Sequence, residues 1–313
     1  PAKPPNIVNY LTTFVEGVTV TQADRILEGD RLDVWARLVD GRLPDDAIGG
    51  SSPSAGKPRK EAKPETESGS GSRHAAARTE GSSLEPTAPS PTPHGSPAPP
   101  EAPEETVRLT WSGPMVARPV SLDVRELETD HVHLRVTAET RGVVTMVDNA
   151  TGASGRCNVL EYGATTQDLA LAASGVATAT LQMPGQGRIT ASRIEQNLGS
   201  GIGHVPGAGL IEALSAEPGA ANDPSRPMAR WSDSATFLFA TADGRMTDRI
   251  KEATLIGDVT ASSKGSSLSG ETVHAYFDVS SGDEAGSPSL ARVRADGSVQ
   301  TGDAKGNTLE TNM

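Results

Sequence analysis

The chain has 313 residues, with 28 Lys and Arg against 40 Asp and Glu, a formal net charge of −12 and only 3% aromatic residues. That acidity excludes a nucleic-acid module working by phosphate neutralisation, and no run of roughly 18 apolar residues is present to cross a membrane as a helix. A single cysteine, Cys157, excludes an internal disulfide framework and a multi-Cys zinc site.

Taken in chain order, residues 1–50 read as strands. Val18 and Val20 alternate with Thr19 and Thr21, and Leu32 and Val34 alternate with Arg31 and Asp33. Such period-2 patterning predicts strands with one buried and one wet face. Only residues 24–38 could be argued as a helix, and the strand patterning around them argues against it. Residues 51–106 hold 11 of the 23 prolines and one large apolar residue, Leu84. That is too little apolar surface to offset the entropy of ordering, so the segment is predicted to be a disordered linker. Its basic run, Lys57, Arg59, Lys60 and Lys63, is interleaved with Glu61, Glu65 and Glu67 and reads as solvated charge on a tether.

From residue 107 to 313 the strand pattern returns. Val107, Leu109 and Trp111 alternate with Arg108 and Thr110, and Val132, Leu134 and Val136 alternate with His131, His133 and Arg135. Glycines and the pairs Asp243-Gly244 and Asp296-Gly297 punctuate the runs as turns. The predicted class is all-β.

An internal repeat sharpens that prediction. Phe14-Val15-Glu16-Gly17-Val18-Thr19-Val20 aligns with Leu255-Ile256-Gly257-Asp258-Val259-Thr260-Ala261 at an offset of 241. Without a gap, Leu27 then falls on Leu268, Gly29 on Gly270, Leu32 on Val273, Val34 on Ala275 and Trp35 on Tyr276. Looser copies run from Gly142 to Tyr162 and from Gly175 to Ile189, and Gly297-Ser298-Val299 opens a partial unit towards Met313. A strand pair of this kind cannot bury its aliphatic face alone, so the units are predicted to stack. Small interior residues between two stacked sheets can leave space along the axis. A collapsed core is the plainer expectation for the same pattern.

No catalytic or metal-binding constellation emerges. His131 and His133 share a face, yet only Asp130 and Glu128 lie near, so a surface pair is expected rather than a metal site. Cys157 has no oriented base around it and reads as a strand-packed thiol. Gly199 to Gly203 reads as a turn, because Pro206 and Gly207 stand where a phosphate-binding helix would begin. Trp111, Trp231, Tyr162 and Tyr276 are expected at sheet edges, and Asn149-Ala150-Thr151 is a bare sequon. Acidic and basic residues form no recurrent column of the kind a lyase would need, so no enzyme activity and no cofactor are expected.

The repeated unit, Phe14 to Trp35 and again Leu255 to Phe277, resembles the periplasmic lipopolysaccharide-transport proteins of the organic-solvent-tolerance (OstA-like) family. The resemblance implies an open β-jellyroll of stacked antiparallel strand pairs. It also implies a periplasmic location, although no leader or anchor is visible in the chain. The implied role is carriage of lipopolysaccharide or a similar lipid, with other OstA-like proteins as partners through edge-strand stacking. The unit at Gly297 to Met313 implies a chain that continues. The residues expected to line the lipid groove are Val18, Val20, Leu32, Val34, Val132, Leu134, Val136, Val259, Ala261, Leu268, Val273 and Ala275. Residues 1–50 form the first unit, 51–106 the linker and 107–313 the further units. The alternative from another class is a non-catalytic surface or scaffold β-solenoid, adhesin-like or polysaccharide-binding, with a packed interior.

Overall fold

A computed structural model describes residues 3–22, 24–44, 107–138, 142–175, 177–213, 226–242, 245–278, 289–302 and 308–312. The linker at 51–106 and the Asp243-Gly244 turn lie outside the described residues. All the strands described belong to one antiparallel sheet of 21 strands, so the class is all-β and jellyroll-like. The 24–38 stretch is a strand and not a helix.

Two long hairpins carry the repeat. The first joins β1 (Ile7–Gln22) to β2 (Arg25–Val39). Fourteen strands follow: β3 (Val107–Thr110), β4 (Met115–Val120), β5 (Val132–Thr137), β6 (Val144–Asp148), β7 (Ser154–Cys157), β8 (Val159–Gly163), β9 (Asp168–Ala172), β10 (Ala179–Met183), β11 (Gly187–Ala191), β12 (Arg193–Asn197), β13 (Ile202–Pro206), β14 (Gly209–Glu212), β15 (Met228–Trp231) and β16 (Ser234–Ala242). The second hairpin joins β17 (Arg245–Ser263) to β18 (Ser266–Asp278), and β19 (Ser289–Asp296), β20 (Ser298–Gly302) and β21 (Thr308–Asn312) complete the sheet.

Pairing sorts these strands into two walls. The first half of β1 pairs with β4 and its second half with β3. β2 likewise pairs with β5 on one wall and β6 on the other. The first wall continues through β8, β9, β12, β13 and β16, the second through β7, β10, β11, β14 and β15. Both walls then run into β17 and β18. Buried residues of the two walls, among them Leu160, Ile194 and Val205 on the first and Val20, Leu181 and Ile189 on the second, belong to one hydrophobic cluster. The walls therefore face each other across a shared core.

The crease between the walls explains the glycines. In β1, Glu16 and Gly17 stand opposite the single residue Asp30, a bulge that breaks the register between Val15 and Val18. Both have positive φ, 68° and 58°. In β17, Gly257 and Asp258 do the same opposite Glu271, with φ of 86° and 41°. A two-against-one bulge puts the paired strands out of phase across the crease. The bulged strand keeps one alternation, Phe14 to Val18 and Val20, while its partner changes phase between Leu32 and Leu27. Inward residues stay inward on both walls. The repeat found in the sequence is thus a repeat in backbone geometry.

A Trp-Ser pair clasps each crease from the neighbouring traverse. Ser112 N donates to Glu16 O at 2.9 Å and Gly113 N to Val15 O at 3.0 Å. On the second hairpin, Ser232 N donates to Gly257 O at 2.7 Å and Asp233 N to Ile256 O at 3.1 Å. Trp111 meets Phe14 edge-on at 4.8 Å, while Trp231 is buried against Phe237 at 6.1 Å and donates its indole N–H to Gly207 O at 3.0 Å. Trp231 is therefore a core residue and not the edge residue expected from sequence.

Among the described residues, one connection leaves the meander. From β4, residues 121–131 cross the outer face of the first wall to reach β5. The 3-10 turn Arg125–Leu127 places Leu127, fully buried, on Leu11 and Trp35. Asn9 donates to Ser121 O at 3.0 Å, and Arg37 N donates to His131 O at 2.8 Å. Asp130 is buried and accepts from the backbone N–H groups of Thr165 and Thr166, at 3.2 and 3.0 Å.

Candidate functional site

The inner face of the second wall changes size along the stack. Leu181, Ile189 and Ile211 stand side by side in register, and the row then continues as Ala229, Ala261, Leu268 and Thr301. On the first wall Leu160, Leu171 and Ile194 stand side by side, and further along the sheet Ala235, Leu255, Val273 and Ala295 form one row. Where the side chains are large, they meet and exclude space: Leu160, Leu171, Ile189, Ile194 and Val205 are essentially inaccessible. Each such burial is worth about 1.5–3 kcal/mol. Beside β19 and β20 the inward residues are no longer sealed: Leu268, Ala295, Val299 and Thr301 are half-buried and Val293 is exposed. A cleft of 560 Å³ opens there, lined by Leu268 on β18, Val293 and Ala295 on β19, and Val299 and Thr301 on β20. Leu290 and Val293 on β19 remain exposed.

Every residue expected from sequence to line a groove lies on this inner face. Val18, Val20, Leu32, Val136, Val259 and Val273 are buried within the shared core, and Val34, Leu134, Leu268 and Ala275 are partly buried against it. Val132 and Ala261 are half-buried on the same alternation. Of the twelve, only Leu268 borders the inter-wall cleft; Ala261 borders a second cleft, and the nine others in the shared core face neighbouring side chains. Sequence reasoning missed Val293 and Ala295, and placed Val299 only in a partial repeat unit. Val293 and Ala295 alternate ahead of the Asp296-Gly297 turn, but the repeat alignment did not extend to them.

The other candidates resolve into structure. His133 is largely covered by the crossing segment, edge-on to Trp35 at 5.9 Å and 3.7 Å from Asp130, and is not a surface residue. Among the described residues, no group of three or more His, Cys, Asp or Glu is placed to hold a metal. Burial pushes the Cys157 thiol up to about 12, which leaves it without thiolate character at neutral pH. Residues 199–201 are the turn between β12 and β13, with Gly201 at φ 70°.

The outer face of the first wall carries the main charge network. Arg135 lies over the Trp35 ring at 5.2 Å and donates to Glu161 Oε1 from Nε at 2.8 Å, while Arg193 approaches Glu161 Oε2 at 3.6 Å. Burial on its own would raise the Glu161 pKa, but the hydrogen bonds and charge of Arg135, with Arg193 beyond, hold it below the usual carboxylate value. A carboxylate of depressed pKa contributes stability above the unfolded-state value and loses it as pH falls through the folded one. Glu161→Gln is therefore expected to cost roughly 1–3 kcal/mol at pH 7, with the difference from wild type vanishing in acid. Urea titrations at pH 7 and below pH 4 check this; a difference that persists in acid would remove the charge from the explanation.

Comparison with protein-family models, curated proteins and solved structures returns no match to this chain. Among the described residues, no helix is long and apolar enough to cross a membrane.

Proposed function

We propose that the protein binds the acyl chains of lipopolysaccharide or a similar lipid in the cleft between its walls and passes the lipid on in the periplasm without chemistry. The observation that carries this reading is the cleft at the β18–β20 end of the interior, lined by Leu268, Val293, Ala295 and Val299, where the same fold elsewhere is filled. Each buried CH₂ contributes about 0.8 kcal/mol, so several chains entering such a cleft need no polar clamp. The second hairpin repeats the first, crease included, which supports the repeated unit on which the OstA-like resemblance rests. That resemblance would also supply the partners, other OstA-like proteins stacked on the sheet edges at β3–β4 and β19–β21. The filled interior from β1 to β16 favours the second reading, a non-catalytic scaffold or surface β-protein.

A photo-crosslinking residue at Leu268, with one at Ile189 as control, separates the two. Incubation with lipopolysaccharide is expected to label position 268 and leave 189 unlabelled, with little labelling by a plain phospholipid. Native mass spectrometry should show a matching lipopolysaccharide adduct. No adduct and no labelling at 268 would leave the scaffold.

A further inference from the structure

Two of the strands that line the apolar cleft, β18 and β20, also border a second concavity. A cleft of 480 Å³ spans β15, β17, β18 and β20. Its polar side chains include Arg230, Thr260, Ser269 and Gln300, beside the apolar Met228, Ala261 and Leu268. Register places Arg230, Thr260, Ser269 and Gln300 in one row across four strands, one residue out of phase with the inner row Ala229, Ala261, Leu268 and Thr301. One face thus presents methyl and isobutyl groups, and the other a guanidinium, hydroxyls and an amide.

The two clefts are contiguous. Ser267, Leu268, Thr301 and Gly302 border both of them, at the rim where β18 and β20 pair over only three residues. A molecule bent over that rim crosses the thickness of one sheet, about 10 Å. It would have one half in an apolar environment and the other among hydrogen-bonding groups.

Charge decides the chemistry of the polar half. Arg230 is exposed and has no ion-pair partner among the described residues, in a chain whose net charge is −12. Carboxylates flank the row on more than one side: Asp258 and Glu271 lie two residues from Thr260 and Ser269 towards the crease, Glu310 stands opposite Gln300 on β21, and Glu212, paired with Arg188, stands opposite Met228 on β14. An anion in the cleft is therefore held at Arg230, the one cation of the row. A guanidinium recognises phosphate through paired N–H donors, and hydroxyls and an amide suit a polyol.

We propose that the second cleft holds the anionic, hydroxyl-bearing head group of the same lipid whose chains occupy the inter-wall cleft, with Arg230 on the phosphate. The inference rests on the lipid-binding reading above and adds a head-group requirement to it.

The test measures capture at a Leu268 crosslinker for lipid A and for dephosphorylated lipid A, in wild type, Arg230→Ala and Arg230→Lys. Arg230 is exposed, and the far-ultraviolet spectrum of each variant checks that it folds. Arg230→Ala is expected to weaken lipid A about tenfold, the loss of one charge-assisted hydrogen-bond set. Capture of the dephosphorylated lipid should not change, and Arg230→Lys should recover part of the loss. Equal capture of both lipids by all three proteins would overturn the head-group inference and leave the lipid reading standing. Capture of neither lipid by wild type would remove both. A third arm offers the de-acylated disaccharide phosphate alone. If that binds in an Arg230-dependent way while lipid A capture ignores Arg230, the cleft belongs to a soluble anion and the proposal fails.

Discussion

Replacing Phe237 with alanine is expected to lower the unfolding free energy by about 3–5 kcal/mol, towards the upper end of the range for buried aromatic truncations. Phe237 is 1% exposed on the inner face of β16. Its partners across the strands are Gly203 on one side and Ala253 on the other, with Ala275 beyond. A single large ring thus fills space that three small residues leave, with Trp231 edge-on to it. None of those neighbours has the reach to collapse into the cavity, and the cost of a truncation grows with the cavity left behind. Urea unfolding at neutral pH reads the effect directly. A loss below about 1 kcal/mol would mean that the walls are not closed over Phe237 and that the interior stays open well beyond the cleft described.

Gly29→Ala and Gly270→Ala should behave differently although the two glycines occupy equivalent places in the repeat. A Cβ at Gly29 would lie 2.5 Å from Val136 Cγ1 and 3.2 Å from Thr137 O, where β5 ends beneath the crease. A Cβ at Gly270 meets nothing nearer than Asp296 O at 3.4 Å. Overpacking of the first kind costs about 1–3 kcal/mol. The second change fits, so the restricted unfolded chain should leave it neutral or stabilised by about 0.4–1 kcal/mol. The pair is measured side by side in thermal unfolding, and equal costs would contradict the unequal packing of the two creases.

Sequence reached the fold more readily than the site for physical reasons. β1, β2, β17 and β18 are long, and the two hairpins share the same alternation and the same break at the crease, so the offset of 241 was visible without a structure. The middle of the sheet is harder to read because each traverse is broken at the crease, as at Asn158 between β7 and β8 or Ser192 between β11 and β12. Four- or five-residue strands carry little periodicity of their own. The crossing segment at residues 121–131 left no pattern at all, since its contribution is one buried leucine and a set of backbone hydrogen bonds. That is why His133 read as a surface residue. The site depends on something alternation does not encode, which inward positions end up covered. Leu268, Val293, Ala295 and Val299 each look like ordinary inward positions, and only their meeting at the end of the stack leaves a cleft between them.

The Trp-Ser clasps also bear on how the chain is threaded. Beside the second hairpin, the clasping traverse, β15 and β16, comes immediately before it in sequence; beside the first, the equivalent traverse, β3 and β4, comes after it, beyond residues 45–106. A rearranged gene that placed Val107–Val120 ahead of Ile7 and joined Val39 to Val132 would encode the same neighbours as a plain up-and-down meander. The native order instead requires the chain to travel from the end of β2 back to the start of β3, at most one traverse of about 50 Å, which some 15 residues can span. Geometry therefore sets only a minimum reach for the stretch between them, and leaves its composition and most of its length open to selection for something other than folding.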